Sequence, residues 1–249
     1  MLANNLSGHY RFLAGIEPYS CGVVADPGWE IVRVTLPALI PWREGFAYVD
    51  DTLRRAVLGR GALCAMELRS PQPFDMDGFI EFNRGYRDVL QQWKLLVNGV
   101  NPIARTNVAP LTNPPTSVSL HAFSFVRPNA DRKRPTFIVA GAGELREGIL
   151  ESQGVVRRGD VSPGAMLEKS AYVLGVMTDR LNGLGVSWDR ATAVDLYTVH
   201  SLEESLRRQL LDTIGPAARH GLCWHISRPP VLEIEFEMDV RGVACELNG

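Results

Sequence analysis

The clearest alternation of apolar and polar side chains runs from Val231 to Val240. Apolar and acidic residues take turns at its eight inner positions, in the order Leu232, Glu233, Ile234, Glu235, Phe236, Glu237, Met238, Asp239. Successive side chains of a strand point to opposite faces, so a period of two predicts a strand with one buried face and one solvated face. We therefore expect one strand over 231–240 with four carboxylates on a single face.

The residues before this strand predict a strand, a helix and a further extended run. Ala191–His200 is rich in strand-favouring side chains, which indicates a strand. Ser201 and Glu204 have the spacing of a capping box, in which each side chain satisfies a free backbone N–H. A helix is therefore expected to begin at Ser201 and to end near Gly215.

The order of predicted elements occurs twice along the chain. In the first half, apolar residues at three- and four-residue steps predict helices over 46–57 and 79–97, with extended runs around them. In the second half, Ser162-Pro163 is a typical helix start, and Gly183 and Gly185 mark its end. Both halves follow the order β, β, α, β, α, β, β, which indicates an internal duplication.

A polar segment separates the two sets of elements. Residues 127–135 contain five charged side chains and two prolines, which is typical of a solvated linker. We expect domains at 1–128 and 136–249, joined by 129–135.

Composition excludes several classes of protein. The 249 residues are 45% hydrophobic, and 26 basic against 28 acidic side chains give a net charge of −2, which does not favour nucleic-acid binding. No apolar run approaches the roughly 20 residues of a membrane span, and the N-terminus lacks the pattern of a signal peptide. The scattered Cys21, Cys64, Cys223 and Cys245 indicate reduced thiols, so we expect a cytoplasmic protein.

Six short segments stand in the order in which a known family carries them. They are Phe137–Ala142, Leu184–Asp189, Val194–Val199, Ala218-Arg219, Leu232–Glu235 and, in the first half, Asn101–Val108. Through these segments the chain resembles the YjgF-like family, also called RidA, reactive intermediate deaminases or endoribonuclease L-PSP. The matches together span nearly the whole chain.

The resemblance implies an α+β fold. It implies two tandem chorismate-mutase-like domains, each a β-sheet with two helices packed on one face. Members of that family usually form trimers, with small-molecule sites in the clefts between neighbouring domains. The smallest closed assembly of two-domain chains built from threefold rings has three chains, so we expect a homotrimer.

The resemblance also implies a mode of catalysis. In deaminating members an arginine holds the substrate carboxylate, and a glutamate positions the water that attacks an imine carbon. Arg105 and Arg219 match the arginine position. Glu233 matches the glutamate, or Glu235 if the register slips by one pair. A guanidinium offers a planar, bidentate match to a carboxylate, and a carboxyl group of raised pKa can shuttle the proton.

Two further residues in the matched segments, Asn107 and Gly141, are expected to contact the substrate. The first half has Ser119 or His121 where the acid should be. A complete pair then requires either a mixed interface or the second half alone. The chain departs from the family pattern after Arg219 and lacks the glutamine of the early turn. An alternative interpretation is that Arg219 and the glutamates form ion pairs on a solvated strand face and have no catalytic role.

A cysteine gives a different candidate for chemistry. Cys223 and His225 would share a strand face, and Cys223 with Glu233 is similar to the cysteine–glutamate pair of chorismate-hydrolysing relatives. A buried cysteine beside a structural histidine is the alternative. Strand alternation places His220 on the opposite face, so we expect no metal site, and no nucleotide-binding loop or other cofactor is indicated.

Together these observations predict a hydrolase that deaminates a small enamine or imine carboxylic acid, such as 2-aminoacrylate or 2-aminomuconate. Two alternatives stay open: a non-catalytic binder of small carboxylates and a chorismate-type hydrolase. The expected partner is a small carboxylate, and neither a nucleic acid nor a membrane.

Overall fold

The computed structural model describes residues 2–16, 18–146 and 152–249. These residues form two mixed β-sheets and four α-helices, so the predicted α+β class is confirmed. The strands are β1 (Leu2–Asn5), β2 (Tyr10–Leu13), β3 (Gly22–Ala25), β4 (Trp29–Pro41), β5 (Leu63–Arg69), β6 (Ala104–Pro110), β7 (Ser119–Pro128), β8 (Phe137–Gly143), β9 (Ala193–Tyr197), β10 (Cys223–His225), β11 (Ser227–Arg228), β12 (Glu237–Gly242) and β13 (Cys245–Asn248). The helices are α1 (Trp42–Arg55), α2 (Met76–Gln92), α3 (Pro163–Leu184) and α4 (Glu204–Ile214).

Helix boundaries follow local signals in two of the four helices. The carboxylate of Asp75 accepts a hydrogen bond from Gly78 N at 2.7 Å at the start of α2. At the start of α3, Ser162 caps Ala165 N and Pro163 occupies the first turn, while Gly185 ends the helix in the left-handed conformation. The predicted bounds of α3 are confirmed. The predicted capping box at Ser201 is wrong, because α4 begins three residues later without a side-chain cap.

Each sheet contains strands from both halves of the chain. The seven-stranded sheet has the order β1-β2-β3-β8-β12-β9-β10, and the six-stranded sheet has the order β11-β6-β5-β7-β4-β13. The N-terminal strands β1–β3 therefore join the sheet of the second half through the pairing of β3 with β8, whereas β11 and β13 pair with strands of the first half. The division at 129–135 stays a prediction, and the sheets do not follow it.

The two sheets face each other, and helices cover their outer faces. Strand alternation in β8 shows the arrangement: Phe137 and Val139 pack in a core with α3 and α4, whereas Ile138 and Ala140 pack against the opposite sheet. A second core joins α1 and α2 to β4, β5 and β7. Between the sheets lies a third apolar core that includes Tyr10. The resulting layers are helices, sheet, sheet, helices.

The expected strand over 231–240 is only partly formed. β12 begins at Glu237, and the residues before it cross from one sheet to the other. Phe74 N donates to Pro230 O and Leu232 N donates to Phe74 O, both at 2.8 Å, which ties the segment to the loop before α2. Glu233 then adopts φ 73°, a left-handed conformation that interrupts the alternation.

All four cysteines are free thiols, as their spacing predicts. Among the described helices, none combines the length and the apolar character that a bilayer span requires.

Candidate active site

A cavity of about 310 Å³ lies where the edge of the six-stranded sheet meets β8 of the other sheet. Its walls come from β6, the end of β8, the segment between β2 and β3, the start of α2, helix α3 and residues 230–237. Both halves of the chain thus contribute to one cavity, which has a volume at the lower end of those that hold small ligands.

Arg105 on β6 forms the inner end of the cavity and is only 3% exposed. Its Nη2 donates to Asn83 Oδ1 at 2.6 Å. The guanidinium carbon lies 4.8–5.9 Å from the ring centroids of four aromatic residues, Tyr19, Phe79, Phe82 and Tyr86. This enclosure fixes the side chain through cation–π contacts. Burial lowers the pKa of Arg105 from its ordinary value, an effect that the nearby tyrosines oppose.

Two buried donors in this wall lack partners. Among the described residues, neither Arg105 Nη1 nor Asn107 Nδ2 has a hydrogen-bond acceptor. Asn107 lies two positions along β6, on the same face as Arg105, and its Oδ1 accepts from Ser70 Oγ at 3.0 Å, which fixes the amide orientation. An unsatisfied buried donor costs about 1–3 kcal/mol, so the pair indicates a place for an acceptor such as a carboxylate.

Glu237, the first residue of β12, lines the cavity as a buried acid. Burial raises the pKa of Glu237 well above its ordinary value, and the nearby carboxyl groups of Asp239 and Glu144 raise it further. The cavity arginines oppose this rise. Gly141 provides the space for the carboxyl group, since a Cβ at this position would lie 2.3 Å from Glu237 Oε1.

Asp239 continues the acidic face of β12 behind Glu237. Its Oδ2 accepts from Thr106 Oγ1 at 2.8 Å and from the Tyr197 hydroxyl at 3.0 Å. Thr106 also accepts from Gly141 N at 3.1 Å, which joins β6 to β8 beside the cavity. Burial, together with neighbouring carboxylates, raises the pKa of Asp239 to about 7.

A buried ion pair holds the segment that leads into β12. Glu144 Oε1 lies 3.1 Å from Lys169 Nζ, and both side chains are fully buried. The same carboxylate accepts from Glu235 N at 2.7 Å and from Phe236 N at 3.0 Å. Glu144 therefore fixes the backbone next to Glu237.

Arg180 of α3 supports the opposite wall. Its Nη1 donates to the carbonyl oxygens of Ala140 at 3.1 Å and Gly141 at 3.4 Å. These bonds fix the end of β8 where it passes Glu237.

Three of the residues expected from the sequence meet in this cavity: Arg105, Asn107 and Gly141. Arg219 is not among its lining residues. It lies exposed in a helical turn after α4 and donates to Asp189 O at 2.9 Å. Of the two arginines expected from the sequence, only Arg105 of the first half lines the cavity, and the buried acid comes from the second half, which is the mixed arrangement that the sequence left open.

The expected glutamates lie outside the cavity. Glu233 is exposed and lies 3.0 Å from Arg158, and Glu235 lies 2.7 Å from His200 Nε2. The turn at Glu233 explains the difference, because it removes both residues from the regular strand. The acid in the cavity is Glu237, one of the four carboxylates of the alternating run.

Cys223 lies apart from the cavity. The ligand atoms of Asp195, Cys223 and His225 lie within 4.8 Å of one another, so Cys223 and His225 are close together as expected. The third group beside them is Asp195, and His220 is not part of this cluster. Burial and the Asp195 carboxylate raise the pKa of Cys223, which disfavours the nucleophilic thiolate. The pairing of Cys223 with Glu233 does not form, since Glu233 pairs with Arg158.

Comparisons with known proteins give a consistent assignment. The family model described as 2-aminomuconate deaminase CnbZ matches residues 2–247. A 2-amino-5-chloromuconate deaminase of Comamonas testosteroni is 39% identical over 241 residues, which cover 96% of this chain and 95% of that protein. These matches correct the expected membership of the YjgF-like family, which is a different family. The segments that suggested it are too short to separate the two.

Solved structures are less similar. A chorismatase is 13% identical, with 90% of this chain and 77% of that chain covered and a TM-score of 0.43. A cyanuric acid hydrolase is 11% identical, with 88% and 69% covered and a TM-score of 0.42. A putative endoribonuclease from Thermotoga maritima is 18% identical, with 44% and 79% covered and a TM-score of 0.30.

Proposed function

Because the chain belongs to the 2-aminomuconate deaminase CnbZ family, we propose that it deaminates a substrate of the 2-aminomuconate type by hydrolysis, in the cavity described above. One observation carries the choice of site. Two buried donors, on Arg105 and Asn107, have no acceptor among the described residues and line the same cavity as the buried acid Glu237.

In the proposed complex, Arg105 Nη1 and Asn107 Nδ2 donate to the carboxylate next to the amino-bearing carbon. A hydrogen bond from a charged donor to a carboxylate is about twice as strong as a neutral one, and in a buried site it also satisfies donors that are otherwise unpaired. Asn83 and the surrounding aromatic rings hold Arg105 in position for this contact.

Glu237 serves as the proton shuttle in this proposal, and its raised pKa supports that role because it favours the protonated form that the first step requires. It first donates its proton to a carbon of the enamine, which gives an iminium ion. The resulting carboxylate then takes a proton from water as the water oxygen bonds to the iminium carbon. Glu237 returns that proton to nitrogen, the C–N bond breaks as the hydroxyl group loses its proton to Glu237, and a carbonyl product and ammonia result.

We further propose that the two halves are copies of one chorismate-mutase-like unit. In the first half β5 pairs with β6 in parallel and with β7 antiparallel, and in the second half β9 pairs with β10 in parallel and with β12 antiparallel. When Met66 is superimposed on Leu196, the strand registers place Trp224 of the second half at the position that Arg105 has in the first half. They place Ala122 of the first half at the position that Glu237 has in the second half. Neither half then carries both groups.

The experiment is ammonia release from freshly generated 2-aminomuconate by the wild type, Glu237→Gln and Glu233→Gln. Loss of the proton shuttle should lower kcat about 10²- to 10⁴-fold in Glu237→Gln. Glu233→Gln is the matched control, because it makes the same change four residues away and outside the cavity, and its rate should equal that of the wild type.

Two outcomes would overturn the proposal. An unchanged rate in Glu237→Gln would remove the acid from the mechanism. Substrate binding without ammonia release by the wild type would identify a carboxylate-binding protein.

The arginine is tested separately with Arg105→Lys, which keeps the charge but loses the planar fork. We expect KM to rise more than kcat falls, because the contact holds the substrate in the ground state as well. An unchanged KM would show that the carboxylate binds elsewhere.

A further inference from the structure

The passage from the inner end of the cavity to its mouth is apolar. Its lining includes the side chains Met76, Phe79, Leu145, Val231 and Ile234. Most of these belong to a small apolar cluster distinct from the three main cores, and the backbone of 141–143 forms another part of the wall. A passage of this kind favours a hydrocarbon chain between polar ends and disfavours a ligand that is polar along its whole length.

An exposed arginine, Arg146, lies at the mouth of this passage. Arg146 is separated from Arg105 along β8. Thr106, the neighbour of Arg105, accepts a hydrogen bond from Gly141 N, and Arg146 lies five residues after Gly141, beyond the end of β8 at Gly143. Arg146 N donates to Gly154 O at 3.0 Å, which anchors its backbone. Its guanidinium forms no ion pair with any described residue.

Charge in the cavity favours a dianion. Among the described residues that line it, three are arginines and one, Glu237, is an acid, whose raised pKa favours the neutral carboxyl group. Clefts lined by one sign of charge concentrate ligands of the opposite sign. Since Arg180 already donates to the carbonyl groups of β8, Arg146 is the arginine placed to meet a second anionic group.

We propose that Arg146 forms a second carboxylate subsite, which binds the acid group of the substrate that lies farthest from Arg105. This inference rests on the proposed function, in which Arg105 and Asn107 hold the first carboxylate. The distal carboxylate then lies at the mouth against Arg146, and the carbon chain occupies the apolar passage.

The test uses two probes that differ only at the distal end: muconate, a six-carbon diene with two carboxylates, and sorbate, the same diene with a methyl group in place of one. Their affinities are measured by calorimetry on the wild type, Arg146→Gln and Arg158→Gln. Arg158 is the matched control, since it is also exposed but pairs with Glu233 and does not line the cavity.

The wild type should bind muconate at least about tenfold more tightly than sorbate, the factor expected of one charge-assisted hydrogen bond. Arg146→Gln should lose this preference through weaker muconate binding while its sorbate affinity is unchanged, and Arg158→Gln should retain it. With 2-aminomuconate as substrate, Arg146→Gln should raise KM and leave kcat nearly constant.

Equal binding of the two probes by the wild type, or failure of both to bind, would overturn the inference, as would a retained preference in Arg146→Gln. In each case the deamination assay decides the proposed function independently. A muconate preference that depends on Arg146 in a protein that releases no ammonia would support the subsite and refute the deaminase.

Discussion

A buried acid with a raised pKa is the residue on which the proposed chemistry depends. Glu237 acquires this property from its position: it is buried, two other carboxyl groups lie nearby, and the arginines nearby only partly offset the effect. Its reactive form is the protonated one, which is present below its raised pKa.

We therefore expect kcat/KM of the wild type to fall as pH rises through the raised pKa of Glu237, because the proton donor is then lost. The measurement is a pH–rate profile from about pH 6 to about pH 10, which reports the pKa values of the free enzyme. Glu233→Gln should show the same profile. Activity that increases throughout this range would instead require the carboxylate form at the start of the reaction.

Gly141 gives a second prediction at this scale. Gly141→Ala should lose most activity, because the new Cβ would lie 2.3 Å from Glu237 Oε1 and displace the carboxyl group. Gly175→Ala provides the control: nothing lies within 4 Å of a Cβ there, and alanine inside a helix is favoured by about 0.5–1 kcal/mol over glycine. We expect Gly175→Ala to be fully active and slightly more resistant to denaturant. An active Gly141→Ala would show that the acid moves freely.

Sequence reasoning singled out Arg105 of the candidate site and passed over its acid, Glu237, for physical reasons. Arg105 stands among apolar residues in a segment with few charges, so its type and surroundings suggest a special role. Glu237 is one of four acids in a regular alternation, and the pattern gives all four equal weight. Burial between the sheets, which arises only from contacts distant in sequence, separates Glu237 and Asp239 from Glu233 and Glu235. Of the two buried acids, only Glu237 lines the cavity.

At the scale of elements, local sequence signals predict the structure well only where neighbouring residues form the hydrogen bonds of the backbone N–H and carbonyl groups. α3 begins and ends where Ser162 and Gly185 predict, since both act on neighbouring N–H and carbonyl groups. The segment 231–236 fails this test. Its path is set by hydrogen bonds to Phe74, some 160 residues earlier, and its left-handed residue follows from that path.

The ion pair of Lys169 with Glu144 links α3 to the segment before β12, so its loss should affect both stability and catalysis. Lys169→Met should lower the free energy of unfolding by about 3–5 kcal/mol, because it leaves a buried carboxylate without its counter-charge. Urea denaturation measures this change. The double variant Lys169→Met with Glu144→Gln should regain part of the loss, since no unpaired charge is left buried.

If Lys169→Met were as stable as the wild type, the pair would have no structural role. A double variant less stable than either single variant would show that Glu144 acts mainly through its bonds to the backbone of 235 and 236.

At the scale of the whole molecule, strand exchange makes the two halves interdependent. β8 lies between β3 and β12, so residues 136–249 alone would expose one edge of β8 and the apolar face that meets the other sheet. The pairing of β3 with β8 joins residues far apart in the chain, and no local pattern of the sequence reports it. The sequence therefore suggested two separate domains. A homotrimer stays a prediction that light scattering of the purified protein can test.

We expect fragments 1–128 and 129–249 to be unfolded when produced separately and to regain structure and activity when mixed. Circular dichroism and ammonia release would follow the recovery. In the intact chain, fluorescence and circular dichroism should report a single coincident unfolding transition. A folded 129–249 fragment would show that β1–β3 are dispensable to the core of the second half.

The division of the site between two halves has a consequence for how such a sequence can diverge. On the proposed duplication, selection acts on the arginine position in one copy and on the acid position in the other. The equivalent positions in the other copy, now Trp224 and Ala122, are then no longer required for catalysis. Each copy can accumulate changes that an assembly of identical subunits could not tolerate, since there every substitution would be repeated in all sites at once. The loss of the arginine from one copy and of the acid from the other is the expected result of that freedom.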